Sequence, residues 1–344
     1  MPHSFVVLFL LILMPALNVC NAQTTTTSAP GQAPQQKQGP RILTWTPPEQ
    51  TNPPFGSQIR KAVSEIRASC KNKDGKVDTY AGTGFIVVYH DPRLPAEQSF
   101  RYLVTNRHVA ECLDDELKPM DVLAMSFQMT NTANGQTPTI VLNAHGNARW
   151  FLPDDDSVDL AVTPITLPTD INPVVIPMDL FFDQSDFKAQ NIGEGAKIVF
   201  SGYFVQLEGS SKLQPLVREG VLSMIPDTQL TTTLKKPGRI YLGEVHVFGG
   251  NSGSPVFIST YGIRPNGPML DDEFRFLGVV SGYYYEDSEL RLQIAETVTG
   301  TQRANSGISM IVPADFVKDL IVNGKGVVAD RDVYFKMQAV QAKK

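Results

Sequence analysis

The sequence predicts an all-β protein, of barrel or sandwich type. From Ala62 onward, short apolar runs rich in β-branched and aromatic residues alternate with turn signals, the pattern of strands on a half-buried pleated surface. The runs fall into two sets of about six, and such regular spacing favours a barrel or sandwich over a parallel α/β sheet. Asp74-Gly75 lies between two of the runs, the pair a tight hairpin turn prefers.

The first set is read at 66–70, 80–89, 100–105, 122–130, 139–144 and 160–164, with a short helix after His108 through about Glu116. A loop rich in Pro and Asp (168–195) divides the sets. The second set is read at 197–203, 216–223, 239–242, 255–259, 274–284 and 308–312. Pro313 then opens an amphipathic helix to about Asn323.

The two ends read differently. Residues 1–22 carry an apolar run broken by Pro15 and close on Cys-Asn-Ala, small residues that suit signal-peptide cleavage after Ala22. The run is shorter than the roughly 20 apolar residues a membrane span requires. Only His3 stands where a positive n-region belongs, so an uncleaved anchor is the alternative. Residues 23–56, rich in Gln, Thr and Pro, read as a disordered arm in which Trp45 alone could dock on the body. Cleavage implies a secreted or periplasmic protein with no membrane association afterwards.

A net charge of −5 with 19% charged residues, and no dense Lys/Arg run beyond Lys343-Lys344, argues against nucleic acid as a partner. Of three cysteines, Cys20 leaves with the signal. Cys70 and Cys112 are too few for a disulfide scaffold, and no His/Cys cluster has metal-ligand spacing, so neither metal nor cofactor is expected. In an oxidising compartment the pair forms one bridge or remains two buried thiols; the sequence leaves both open.

The chemistry concentrates in Gly-Gly-Asn-Ser-Gly-Ser-Pro-Val-Phe, residues 249–257. Glycines on either side of Ser252, ahead of a strand, let the backbone turn tightly and approach a substrate. Such a turn exposes a hydroxyl and gathers N–H groups toward one point, as acyl transfer requires. Serine needs a base near neutral pKa, and the base needs a carboxylate to fix its tautomer. His108 ends the apolar run Tyr-Leu-Val-Thr-Asn-Arg-His, and Asp159 opens the run Asp-Leu-Ala-Val. Asp154, Asp155 and Asp156 lie in a polar loop and read as solvated, and Ser254 is the rival nucleophile.

Thr-Gly-Phe-Ile-Val (83–87), Thr-Asn-Arg-His-Val (105–109), Asp-Leu-Ala-Val (159–162) and Gly-Asn-Ser-Gly-Ser-Pro (250–255) occur in that order, with Gly-Val-Val-Ser-Gly-Tyr (278–283) after them. In these blocks the chain resembles chymotrypsin-fold, trypsin-like serine proteases, in particular the bacterial HtrA-like and glutamyl-endopeptidase branches. The resemblance implies two six-stranded antiparallel β-barrels, about 57–180 and 181–325, with a C-terminal helix; 326–344 is then a tail, too short for the PDZ domain of HtrA-like enzymes.

It also implies site roles. His108 and Asp159 come from the first barrel and Ser252 from the second. The backbone N–H groups of Gly250 and Ser252 form the oxyanion hole, and Ser281 helps hold the buried aspartate. His246 lies at the base of the primary pocket, and Ser281, Gly282, Tyr283 and Gly307 are in its walls. With no Asp at the pocket base and Val280 where glutamyl endopeptidases carry His, cleavage after small or medium uncharged residues is expected, and His246, whose protonated imidazole could attract a carboxylate, leaves cleavage after Glu as the alternative. The function expected is a secreted serine endopeptidase acting on protein or peptide substrates, with ester hydrolysis open to the same machinery. The alternative is a catalytically silent peptide-binding module.

Overall fold

The computed structural model describes residues 54–143, 149–205, 214–260, 262–264, 267–269, 273–293 and 297–341; the expected signal segment and most of the arm, Trp45 included, lie outside them. Helix α1 (Phe55–Ala62) starts inside the stretch expected to be disordered and buries Ile59 and Ala62. It leads into β1 (Val63–Lys71), which turns through Asn72–Lys76 into β2 (Val77–Tyr89). Gly75 sits at φ +82° in that turn, the left-handed region glycine enters at no steric cost.

β3 (Phe100–Thr105), the one-turn helix α2 (Arg107–Ala110), β4 (Asp121–Met129), β5 (Thr139–Asn143), β6 (Ala161–Pro164) and the two-residue β7 (Ile176–Pro177) complete the first sheet. Its order is β5-β4-β1-β2-β3-β6, antiparallel throughout, with β7 parallel on β2. The sheet curls, and β5 and β6 do not pair among the described residues, so the first unit is an open half-barrel. Along β1, Ile66, Ala68 and Cys70 point inward while Arg67 and Lys71 are exposed, the two-residue period of a strand with one dry face. These residues join Leu103, Met125 and Phe127 in one core. Cys70 and Cys112 are disulfide-bonded inside it.

A capped helix, α3 (Gln184–Gln190), occupies part of the expected loop. Asp183 and Asp186 form a reciprocal capping box at its start, a signal present in the sequence. β8 (Lys197–Gly202) and β9 (Leu216–Met224) follow, then the two-residue ladder β10 (Leu230–Thr231) and β11 (Pro237–Gly238), β12 (Tyr241–Glu244) and β13 (Pro255–Ser259). After the small hairpin β14 (Gly262–Arg264) and β15 (Gly267–Met269) come two long strands, β16 (Phe274–Gln293) and β17 (Thr297–Pro313). A closed barrel runs β12-β17-β16-β13-β8-β9, filled by Phe200, Leu222, Tyr241, Leu277 and Ile311.

A third core lies between the sheets. Phe85 and Leu160 of the first meet Phe257 and Phe276 of the second, under Val317, Leu320 and Ile321 of helix α4 (Ala314–Asn323). The architecture is the chymotrypsin-like one. The residues expected to form a tail are instead helix α5 (Lys325–Gln341). Its buried Arg331 bonds the Ile321 and Val322 carbonyls and the Tyr102 hydroxyl, and pairs with buried Asp91 at 3.2 Å. None of the described helices is long and apolar enough to cross a membrane.

Candidate active site

α2 starts directly after β3, which carries the His108 backbone to the end of the first sheet. Asp159 is buried at 1% exposure and precedes β6, the neighbour of β3. Its carboxylate is held on three sides. The His108 main-chain N–H donates to Oδ1 at 3.1 Å, His108 Nδ1 lies 2.7 Å from Oδ2, and the Ser281 hydroxyl donates to Oδ2 at 2.8 Å. Asn106 donates its side-chain amide to the Asp159 carbonyl at 2.8 Å. Since an ionised carboxylate can only accept, Nδ1 carries the proton and Nε2 is left as the acceptor of the neutral ring.

Burial by itself would lower the His108 pKa, but the Asp159 charge and hydrogen bond outweigh it and hold the imidazole above its ordinary value. Burial likewise opposes ionisation of Asp159; His108 and the Ser281 donor overcome it and keep the carboxyl below the usual range. The Ser281 hydroxyl is backed in turn by that of Thr233, 2.6 Å away.

Ser252 sits on the turn before β13. Glycine is required on both sides of it: Gly250 and Gly253 lie at φ +94° and +86°. A Cβ on Gly253 would collide with the Thr83 carbonyl, and one on Gly250 would come within 2.8 Å of the Tyr203 carbonyl. The Gly249 carbonyl accepts from Val205 N–H at 3.3 Å and that of Asn251 from Ser254 N–H at 3.0 Å. A trans peptide points its C=O and N–H in opposite directions, so the Gly250 and Ser252 N–H groups face away from these partners, and neither donates to an acceptor among the described residues. The Ser252 hydroxyl makes no hydrogen bond among them either, while the His108 side chain is 25% exposed.

Thr83, on β2, is a site residue that sequence reasoning passed over. Its N–H donates to the Ser252 carbonyl at 2.8 Å, and its hydroxyl donates to the Gly250 carbonyl at 2.7 Å while accepting from Tyr203 N–H at 3.0 Å. Thr105 donates to its carbonyl at 2.8 Å. One fully buried threonine of the first sheet thus clasps the glycine turn of the second barrel. The only sequence signal was its place at the head of the Thr-Gly-Phe-Ile-Val block. Asn251, also fully buried, braces the turn from the other side through the Tyr203 carbonyl and Phe248 N–H.

Among the residues expected to meet substrate, His246 and Gly307 are together: a Cβ on Gly307 would come within 3.1 Å of the imidazole. Gly282 lies against Thr233, and the Tyr283 ring stacks obliquely on Tyr285 at 4.8 Å. Ser254, the rival nucleophile, is fully buried. Asp154, Asp155 and Asp156 are exposed, with Asp156 paired to Lys236 and Asp154 to Lys325.

The class that the barrel, the curled sheet and the C-terminal helices define is the chymotrypsin-like fold. No family model matches the sequence, and no curated protein does. Solved structures similar to this chain include the HtrA-type protease AlgW with a tripeptide, at 17% identity and TM-score 0.42 over 78% of this chain and 62% of that one. Deg5 is similar at 17% and 0.42, over 78% and 92%. The MamO protease domain from Magnetospirillum magneticum is similar at 12% and 0.40, over 76% and 96%. This chain spans 62% of the length of the AlgW structure. Likeness at this level transfers no activity.

Proposed function

We propose that this chain is an exported serine endopeptidase. The observation that carries the reading is the hydrogen-bonded chain Thr233–Ser281–Asp159–His108 beside a glycine turn whose Ser252 hydroxyl and two N–H groups have no partner among the described residues. Export is supported by residues 1–22 and by a disulfide, which persists in oxidising compartments.

In the proposed reaction Ser252 Oγ attacks the scissile carbonyl carbon and its proton passes to His108 Nε2. The carbonyl π electrons move onto oxygen, where the Gly250 and Ser252 N–H groups stabilise them. Collapse breaks the C–N bond as the imidazolium protonates the leaving amine. Water then attacks the acyl-enzyme, losing a proton to His108, and the acyl C–O bond breaks as the imidazolium returns that proton to Ser252 Oγ, releasing the carboxylic acid. His246 and Gly307 line the primary pocket, and with no carboxylate at its base cleavage follows small or medium uncharged side chains. Dominant cleavage after Arg or Lys in a peptide library would refute that pocket assignment.

One observation favours a peptide-binding module without turnover, the missing Ser252–His108 bond. Such bonds are often formed only once substrate is present, and one experiment separates the readings. A fluorophosphonate probe, which requires an activated serine, should label Ser252 and leave Ser252→Ala unlabelled. Labelling that disappears in Ser254→Ala but survives in Ser252→Ala would move the nucleophile. No labelling of the parent protein would favour the binding module.

A further inference from the structure

The short hairpin β10–β11 touches the segments that carry His108 and Asp159, and the strand that backs them. Its strands pair at Leu230↔Gly238 and Thr231↔Pro237. Its tip is turned back on itself by Thr232 N–H on the Lys236 carbonyl and Lys235 N–H on the Thr232 carbonyl, both at 2.9 Å. So small a hairpin is marginal by itself, and its neighbours hold it. Lys236 pairs with Asp156, three residues before Asp159. Gly238 lies against Ser157, where an added Cβ would come within 2.6 Å of the serine hydroxyl. Lys235 Nζ donates to the Asp115 carbonyl at 3.3 Å, in the loop after α2. From β16, the Tyr284 hydroxyl donates to the Thr231 carbonyl at 3.0 Å, and the Ser281 hydroxyl meets that of Thr233 at 2.6 Å. Thr232 and Leu234, on either side of Thr233, are buried.

Chemistry fixes the direction of the bonds. An ionised Asp159 can only accept, so the one proton of the Ser281 hydroxyl is committed to Oδ2. Ser281 Oγ therefore receives the Thr233 proton, and the Met310 sulfur, 3.8 Å from the Thr233 hydroxyl, is left as a packing neighbour. The series runs Thr233 to Ser281 to Asp159, with His108 donating to the same Oδ2 from the other side. Hydrogen bonds in such a series polarise one another, and the second bond holds the Ser281 hydroxyl in the one orientation that reaches the carboxylate. We infer that Thr233 is a positioning residue: held at the hairpin tip, it keeps the Ser281 hydroxyl on Asp159 and, through that carboxylate, fixes the orientation of the His108 ring. The effect on rate rests on the protease reading; the orientation of the ring does not.

Thr233 is half-buried, and Thr233→Val keeps its volume while removing the hydroxyl. In this variant kcat should fall about tenfold with KM unchanged, the loss of one hydrogen bond that acts on the transition state. Thr233→Ser keeps the hydroxyl and should stay within about threefold of the parent. A purely structural role would not give the next result. Ser281→Ala already cuts the path, so adding Thr233→Val to it should cost no more than about a further twofold in kcat. The same cycle is read without turnover in Ser252→Ala protein, through the proton resonance of His108 Nδ1–H. That resonance should move in Thr233→Val, and the double variant should coincide with Ser281→Ala. Should Thr233→Val not fold, Thr233→Ala takes its place in the cycle. An unchanged kcat in Thr233→Val, an equal loss in Thr233→Ser, or costs that add in the double variant would each overturn the inference. If fluorophosphonate never labels Ser252, the protease reading fails separately, and an unmoved Nδ1–H resonance is then the result that overturns the role of Thr233.

Discussion

Replacing Thr83 by valine keeps the volume of the side chain and removes its hydroxyl. The parent hydroxyl donates to the Gly250 carbonyl at 2.7 Å and accepts from Tyr203 N–H at 3.0 Å. Both partners lose their bond inside protein, where an unsatisfied polar group costs about 1–3 kcal/mol, so the fold should lose about 2–6 kcal/mol. The Thr83 N–H still holds the Ser252 carbonyl, and the turn should loosen without unfolding. Gly250 is one of the two proposed oxyanion donors, and complete loss of such a donor costs about 3–4 kcal/mol of transition-state stabilisation. A displaced donor loses part of that, and each 1.4 kcal/mol is tenfold in rate. Thr83→Val should therefore lower kcat by about 10–100-fold with KM nearly unchanged, since the effect falls on the transition state. Thr83→Ser retains both bonds and should stay within about threefold of the parent. The assays are steady-state hydrolysis of one library-selected peptide and guanidinium unfolding. An unchanged kcat in Thr83→Val refutes the clasp, and equal losses in both variants place the effect in packing instead of hydrogen bonding.

Other outcomes are open to measurement. Asp159 raises the His108 pKa, so the rising limb of kcat/KM against pH should lie above the ordinary imidazole value of about 6.5; Asp159→Asn should move it down and cost about 10³–10⁴ in kcat, and an unmoved limb would assign the base elsewhere. The same pair stabilises the imidazolium, a contribution to folding present below about 6.5 and lost as pH rises through the higher folded value. The Arg93 hydrogen bonds hold the Asp91 carboxyl at about 2, a stabilisation of about 2 kcal/mol that is whole above pH 4 and disappears as pH falls through about 2. Unfolding curves of Asp91→Asn should accordingly show a shallower loss of stability in acid, and identical slopes would count against the ion pair. Reducing Cys70–Cys112, 42 residues apart in sequence, should cost about 3–4 kcal/mol in the chain-entropy model; two thiols titrating in unreduced protein from an oxidising compartment would show there is no bridge.

Strand positions in the core were legible because alternation of apolar and polar residues is local. Those expected at 100–105 and 255–259 coincide with β3 and β13. Elements held by other forces were not legible. In the β16–β17 hairpin the stretches Glu286-Asp287-Ser288-Glu289 and Thr299-Gly300-Thr301-Gln302 hold no apolar residue to mark a period and are paired by the main chain, although Leu290 and Leu292 beyond them alternate with Arg291 and Gln293. Helix α5 was read as a tail because its anchors lie far away in sequence: Val327 enters the core between the sheets, Tyr334 and Phe335 pack on Phe100, and buried Arg331 bonds carbonyls of the preceding helix and pairs with Asp91.

For the candidate site, residue identity and chain order were sufficient to propose His108, Asp159 and Ser252, since nucleophile, base and carboxylate chemistry limits the residue types and the glycine turn limits the place. Distances were beyond reach. That Asp159 receives His108 at both main chain and ring, that Thr233 backs Ser281, and that Thr83 of one sheet clasps the turn of the other follow only once β2, β6 and β16 are brought together. Each of these bonds joins residues far apart along the chain. Local pattern encodes which face of a strand is dry; only tertiary packing decides which buried polar groups find one another.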